Sequence, residues 1–522
     1  MQEPFAPAIA ANRFGLGAKP GELDAIGAHA PDWLIAQLKG APPVLGDAGL
    51  RSSESVLVET LEVRREQREA GGKKALKGAR ARAKEGASGD TSSGIDREVS
   101  AIDASNRIDS EVPPSDAANR TDGEASGSDP AARAAAIQKL LKLPKVYRPI
   151  YISEATARLR HAATTDRPFV ERITQFWTNH FAVSIDKIAV LGLAGAFERE
   201  AIRPHVLGNF TDLLLAVERH PAMLLYLDNY LSVGPGSRLA RMAARRQTER
   251  KIGINENLAR EILELHTLGV NGKYTQQDVT TFAQVLTGWS IGGDFGRLKD
   301  GEPGQFTFRE ALHEPGAKTV LGKRYAEEGE SEGKAVLRDV AAKPATANFI
   351  ATKLARHFIA DEPPPAAVDR LAKSFTKSHG DLPTVYRTLV ELKECWAQPF
   401  AKYKTPTDYI VSSYRALDLP VDMSRRGLAS FELLGQRTWS PGSPAGWPDR
   451  GADWDGASAL MKRIEWADAV GQRVGARANA SDLAPQLLGA TLSEDTRKAI
   501  TRAASGTQAV TLLLTAPEFL RR

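Results

Sequence analysis

Between residues 197 and 288 the chain spells out where its helices begin and end. "FEREAIRPHVL" stops at Gly208, Asn209 with Asp212 makes a capping pair for "NFTDLLLAVERH", and Pro221 suits the first position of "PAMLLYLDNYL". Gly269 and Gly272 close a further helix, and Thr275 with Asp278 forms a second capping pair that opens "QQDVTTFAQVLTG". A capping side chain satisfies N–H groups that a first helical turn leaves free, so boundaries this closely spaced commit the chain to short helices packed on one another. The expected fold is mainly α: a large multi-helix globular domain with a small β-hairpin excursion and a disordered insert.

The insert is residues 61–135. From Arg64 to Lys84 the chain is basic and rich in Ala and Gly, and "SGDTSSGIDREVSAIDASNRIDSEVPPSDAANRTDGEASGSDP" is acidic, Ser-rich and nearly free of aromatics. Such a segment buries too little apolar surface to offset its ordering entropy, and it accounts for a hydrophobic content of only 42% over 522 residues. The excursion is residues 301–330, where Phe306 and Phe308 alternate around Thr307 and Pro315 with Gly316 precedes the β-prone Thr319, Val320 and Leu321. Around these lie an N-terminal helical part (1–60), a central helical core (136–300) and a C-terminal helical part (331–522) with a Trp-rich loop. A length of 522 residues suits two to four domains or one large helical domain with insertions.

The stretch "NENLAREILELHTLGV", residues 255–270, raises the question of a chemical site. On an α-helix Ile254, Leu258, Ile262 and Leu265 form a core-facing stripe, and Asn257, Glu261 and Glu264 border it at i+4 and i+3. His266 falls on the opposite border, so one α-helix cannot bring it to Glu261. Carboxylates at the edge of a core need partners: Arg260 is a local one, and convergent histidines could turn the strip into an acid–base or metal site. His180, in "RITQFWTNHFAVS", lies on or beside an aromatic face made with Ile173, Phe176, Trp177 and Phe181. His313 sits in the turn of the excursion.

Three other features carry candidate chemistry. Asp228 and Asn229 before "SVGPGS" offer hard-cation ligands, but the spacing is not an EF-hand loop and a C-terminal cap is the plainer reading. Trp439, Trp447 and Trp454 in "GQRTWSPGSPAGWPDRGADW" could stack on a ligand or pin a Gly-rich loop, and pinning is favoured. Cys395, the only cysteine, excludes an internal disulfide and cysteine-rich metal motifs, and its neighbour Trp396 points to a buried thiol.

Several function classes drop out. A net charge of +5 without a compact Lys/Arg motif argues against nucleic acid, and no apolar run approaches a membrane span. Gly15, Gly17 and Gly21 do not have dinucleotide-fingerprint spacing, and no G-x-S-x-G elbow is present. The start "MQEPFAPAIAANRFGLG" lacks a basic region followed by an apolar core, so a cytoplasmic chain made without its own export signal is expected.

Taken in order, "ANRFGLGAKPGEL", "FWTNHFAVS", "HPAMLLYLDNYLS", "INENLAREILELHTLGVNGKYTQQDVTTFAQVLTGWSI", "HEPGAKTVLGKRY" and "SPAGWPD" resemble the bacterial family called domain of unknown function 1800. The likeness spans nearly the whole chain outside 61–135. The motif after the excursion often reads His-Asp in that family and is His313, Glu314 here. The family carries no established activity. The resemblance implies, as partner, a neighbouring sulfatase-like protein of the domain of unknown function 1501 family, and with it export as the passenger of a twin-arginine partner. Two expectations result. The first is an enzyme, hydrolytic and able to use a divalent metal ion, with Glu261, Glu264, His180 and His313 lining one cleft. The second is a non-catalytic binding or maturation partner of that sulfatase-like protein, using the Trp-rich loop and the helical surface.

Overall fold

The computed structural model describes residues 4–46, 49–66, 68–69, 130–246, 252–421, 425–475 and 477–522, with side chains of the helix at 130 described from residue 143. Most of the expected insert, and so the expectation of disorder there, lies outside the described residues. The chain divides into two compact units, Met1–Val56 with Arg148–Arg522, and Leu57–Tyr147. In the smaller unit the Thr60 and Tyr147 hydroxyls meet at 2.6 Å.

The larger unit is built of short helices, and their starts follow the local chemistry. Proline occupies the first turn of the helices Pro168–His180, Pro221–Tyr226, Pro344–Phe358 and Pro406–Leu417. There its missing N–H costs no hydrogen bond. Thr275 and Asp278 form the expected capping box for Gln276–Val285. Asn209 caps Phe210–Arg219 by accepting from the Thr211 N–H, without a return bond from Asp212, so this start is a simple cap and not a box.

The core sits where these helices converge. Phe14, Phe169, Phe358 and Trp396 pack with ring centroids 5.3–5.9 Å apart. Each such ring contributes about 1.5–3 kcal/mol by leaving water. Cys395 is buried beside them, its thiol donating to the Leu389 carbonyl and pushed up by burial to about 12, which makes it an inert packing group.

The β structure is richer than one hairpin. Strand β1, Trp289–Ile291, pairs antiparallel with β2, Phe306–Phe308, so the partner of the Phe306–Phe308 alternation comes from the end of the expected helical core. Strands β3, Lys318–Val320, and β4, Lys323–Tyr325, form the true hairpin. Its two-residue turn has positive φ at both Leu321 (51°) and Gly322 (79°), the primed geometry that suits strand twist. A leucine is uncommon there. It is held because its N–H donates to Asp278 at 2.7 Å, and Asp278 is already fixed by its cap. Among the described residues no helix is long and apolar enough to cross a membrane.

Candidate functional site

The polar strip of residues 255–270 is real, but its helix does not stay α. Asn257–Glu261 is α-helical and Ile262–His266 is a π-turn. A π-turn bonds i to i+5, so five residues come close to a full turn, and His266 swings toward Glu261. The expectation of an α-helix through His266 is corrected here: the wider turn changes the face on which His266 falls, and its charge pulls the Glu261 carboxyl down. Burial raises Glu261 above the ordinary carboxylate value, Glu264 adds to the rise, and His266 opposes it. Glu261 makes no hydrogen bond among the described residues. Glu264 is half-buried and takes the bland partner, Arg260 at 3.3 Å, while Asn257 is exposed.

His266 leads inward. Its Nδ1 lies 2.7 Å from Glu218 Oε1, both side chains fully buried, and its backbone carbonyl receives His180 Nε2 at 3.1 Å. A carbonyl only accepts, so Nε2 carries the hydrogen and Nδ1 of His180 holds a bare lone pair. That Nδ1 is buried and has no hydrogen-bond partner. Burial, aided by Lys353 and His266, keeps the imidazole well below its ordinary 6.5, so it is neutral at neutral pH. Phe176, Phe181 and Phe349 surround the ring, as its aromatic face in the sequence suggested.

His180 lines a cavity of about 410 Å³ together with Leu265; Glu261, Glu264 and His313 are not among its lining residues. His313 belongs to another cluster. Its Nδ1 donates to the Thr287 carbonyl at 2.8 Å, and its Nε2 lies 3.2 Å from Glu332 and 3.3 Å from Lys318, which pair at 3.0 Å. Both ring nitrogens are engaged. Asp228 ion-pairs Lys187 at 2.6 Å, and the Asn229 amide donates to the Leu286 and Trp289 carbonyls. Among the described residues no group of three or more His, Cys, Asp or Glu side chains is arranged to hold a metal ion.

The cavity rests on two buried charge networks. In the first, Glu198 accepts from Arg158 at 2.8 Å, Arg203 at 2.8 Å, Thr178 at 3.1 Å and the Trp439 indole at 3.3 Å. In the second, Asp408 meets Arg172 and Arg522 at 3.0 Å each, and Asp449 meets His357 at 3.1 Å. The Pro/Gly-rich loop takes part in both, through Trp439 in the first and Asp449 in the second. Asn179 accepts from the Trp447 N–H at 2.7 Å and donates to its carbonyl at 2.9 Å, while Trp454 donates to the Pro448 carbonyl at 3.0 Å. The tryptophans are therefore pinned, and Trp439 and Trp447 line the cavity as well.

Gly446 makes that clamp feasible. Its φ is +83°, and a Cβ there would stand 2.2 Å from the Asn179 backbone oxygen. Gly446→Ala is expected to cost roughly 1–3 kcal/mol through backbone strain and to lift the loop, which a melting curve and a red shift of tryptophan emission would register. An unshifted emission spectrum would show that the loop is not held by this contact.

Sequence reasoning missed Glu218 and Asn179, and gave Lys353 no role beyond its helical spacing with Phe349, Ile350, Leu354, His357 and Phe358. Glu218 and Lys353 sit in amphipathic helices, where a lone charge gives no sign of its neighbours. Their long-range neighbours, 48 residues away for the Glu218–His266 pair, carry the signal instead.

The family model described as "Protein of unknown function (DUF1800)" matches residues 9–521 of the chain. No curated protein and no solved structure gives a significant match.

Proposed function

This chain belongs to the DUF1800 family, and we propose that it is a hydrolytic enzyme whose reaction takes place in the His180 cavity. The observation that carries this reading is the His180 ring itself. One nitrogen is committed to the His266 carbonyl, and the other is a buried lone pair without a partner on a cavity wall. Buried polar atoms are almost always satisfied, so an orphan beside a ligand-sized space is a candidate for chemistry.

In the proposed step a water molecule loses a proton to His180 Nδ1 as its oxygen bonds to a carbonyl carbon or phosphorus of the substrate. The proton then passes from Nδ1 to the leaving group as the scissile bond breaks. Nε2–H stays on the His266 carbonyl throughout, which fixes the ring and stabilises the transient imidazolium. Glu218 positions His266. The step uses protein side chains alone, while Glu264 and His313 keep structural pairings.

The test is a panel of esters, amides and phosphomonoesters of small organic anions. Wild-type protein is expected to turn over one class, and His180→Gln to lower kcat/KM by about 10²-fold or more with little change in melting temperature. No turnover of any class by wild-type protein would sink the reading.

A second reading keeps one specific observation. Leu460, Met461 and Ile464 stand 38%, 57% and 38% exposed on the helix Ala457–Val474, directly after the Trp-rich loop. That apolar face fits a non-catalytic role as binding or maturation partner of a sulfatase-like domain of unknown function 1501 protein. A stoichiometric complex with such a protein, lost on Met461→Asp and formed without turnover, would support it over the enzyme.

A further inference from the structure

We propose that the cavity contains a subsite for an organic oxyanion, a carboxylate or phosphate head held between Lys353 and Arg356 with its apolar body against Phe176, Phe349 and Trp447. The inference rests on the cavity as the ligand site but not on the chemistry of His180.

Six cationic side chains line the space, and four have carboxylate partners: Arg158 with Glu198, Arg172 with Asp408, Arg437 with Asp186 and Arg450 with Glu362. Lys353 and Arg356 do not. They lie three residues apart on the helix Pro344–Phe358, a spacing that puts them on one face. Lys353 makes no hydrogen bond or ion pair among the described residues, and its ammonium stands over the Phe349 ring, 5.7 Å from the centroid. Arg356 gives only Nε to the Asp361 carbonyl at 3.3 Å.

The charge balance nearby agrees. Arg172, Lys402 and Arg522 close on Asp361, Asp408 and Asp449, cation for carboxylate, which leaves Lys353 and Arg356 in excess. Their excess is felt by the lysine. Burial pushes Lys353 down to about 8, against the pull of Asp449 from the loop and with Arg356 pushing the same way. His180, on the facing helix, is held neutral in part by Lys353. An arriving anion would pair with both cations and restore the lysine's proton affinity. A space of about 410 Å³ takes a small organic molecule, and its aromatic walls favour one with an apolar body over a bare ion.

The experiment is calorimetric titration of the full chain with phenyl phosphate, benzoate and inorganic phosphate. One of the two organic anions should bind, with inorganic phosphate about tenfold or more weaker, because it lacks the apolar body. Lys353→Met and Arg356→Met should each weaken binding by about tenfold or more, the scale of one charge-assisted hydrogen bond, with melting curves showing that both variants fold. Wild-type binding should weaken as pH rises through about 8, where the ammonium loses its proton, and Lys353→Arg should keep binding through that range. Binding of no anion at millimolar concentration, or wild-type affinity in both methionine variants, would overturn the subsite. If His180→Gln binds the organic anion like wild type and neither protein turns anything over, the subsite stands and the hydrolase reading falls.

Discussion

Replacing Glu198 by alanine is expected to destabilise the protein by about 3–5 kcal/mol, the scale of breaking a buried ion pair from one side. Glu198 is 0% exposed and, among the described residues, the only carboxylate partner of Arg158. Arg203 keeps Glu171, at 2.5 Å, but Thr178 and the Trp439 indole lose the acceptor facing them. Burial alone would raise the Glu198 carboxyl, and Arg158 with Arg203 reverses this to hold it at about 2. The folded value therefore lies below the ordinary 4.5, so the stability it supplies is fully present above about pH 4.5 and is lost as pH falls toward 2. Denaturant melts at pH 7 and across the acid range check both parts. A loss under about 1 kcal/mol at pH 7, or an unchanged acid profile in Glu198→Gln, would contradict this account.

The same network explains why parts of the molecule are legible from sequence and others are not. Helix starts are local physics: Pro221 and the Thr275–Asp278 box need only their own neighbours, and both stand where the sequence puts them. His180 is legible because its aromatic neighbours lie at helical spacing in the same segment. The π-turn Ile262–His266 is not. Its residues are good α-formers, and the wider turn goes with contacts on two scales: His266 meets Glu218, 48 residues away, and Thr267 Oγ1 donates to the Ile262 carbonyl at 2.5 Å within the turn itself. That change of turn takes His266 off the border where an α-helix would put it. Lys353 illustrates the other limit. It shares the helical spacing of Phe349, Ile350 and His357, but only the folded neighbours show that its ammonium has no carboxylate while other cavity cations do. Strand β1 escaped for a plainer reason, since three residues give no alternation to read.

Asp408 should prove as critical as Glu198. It joins three roles that the sequence keeps apart: N3 acceptor of the Thr405 capping box, partner of Arg172 at 3.0 Å, and partner of Arg522 at 3.0 Å. Burial would raise its carboxyl, but the two arginines hold it well below the usual carboxylate range. Its charge also supports Lys404, which burial lowers to about 7 against the upward pull of Asp408. Asp408→Ala is expected to cost about 3–5 kcal/mol from the stranded guanidinium groups, with about 1 kcal/mol more from the lost cap. Most of that cost should be the stranding and not the loss of a favourable bond. A double-mutant cycle separates the two: adding Arg172→Met to Asp408→Ala removes one unpaired cation, so the pair should be less destabilised than the sum of its parts by about 1–3 kcal/mol. Strict additivity would mean that water or a rearranged side chain already satisfies Arg172 in the single variant, and that the cavity floor is softer than its burial suggests.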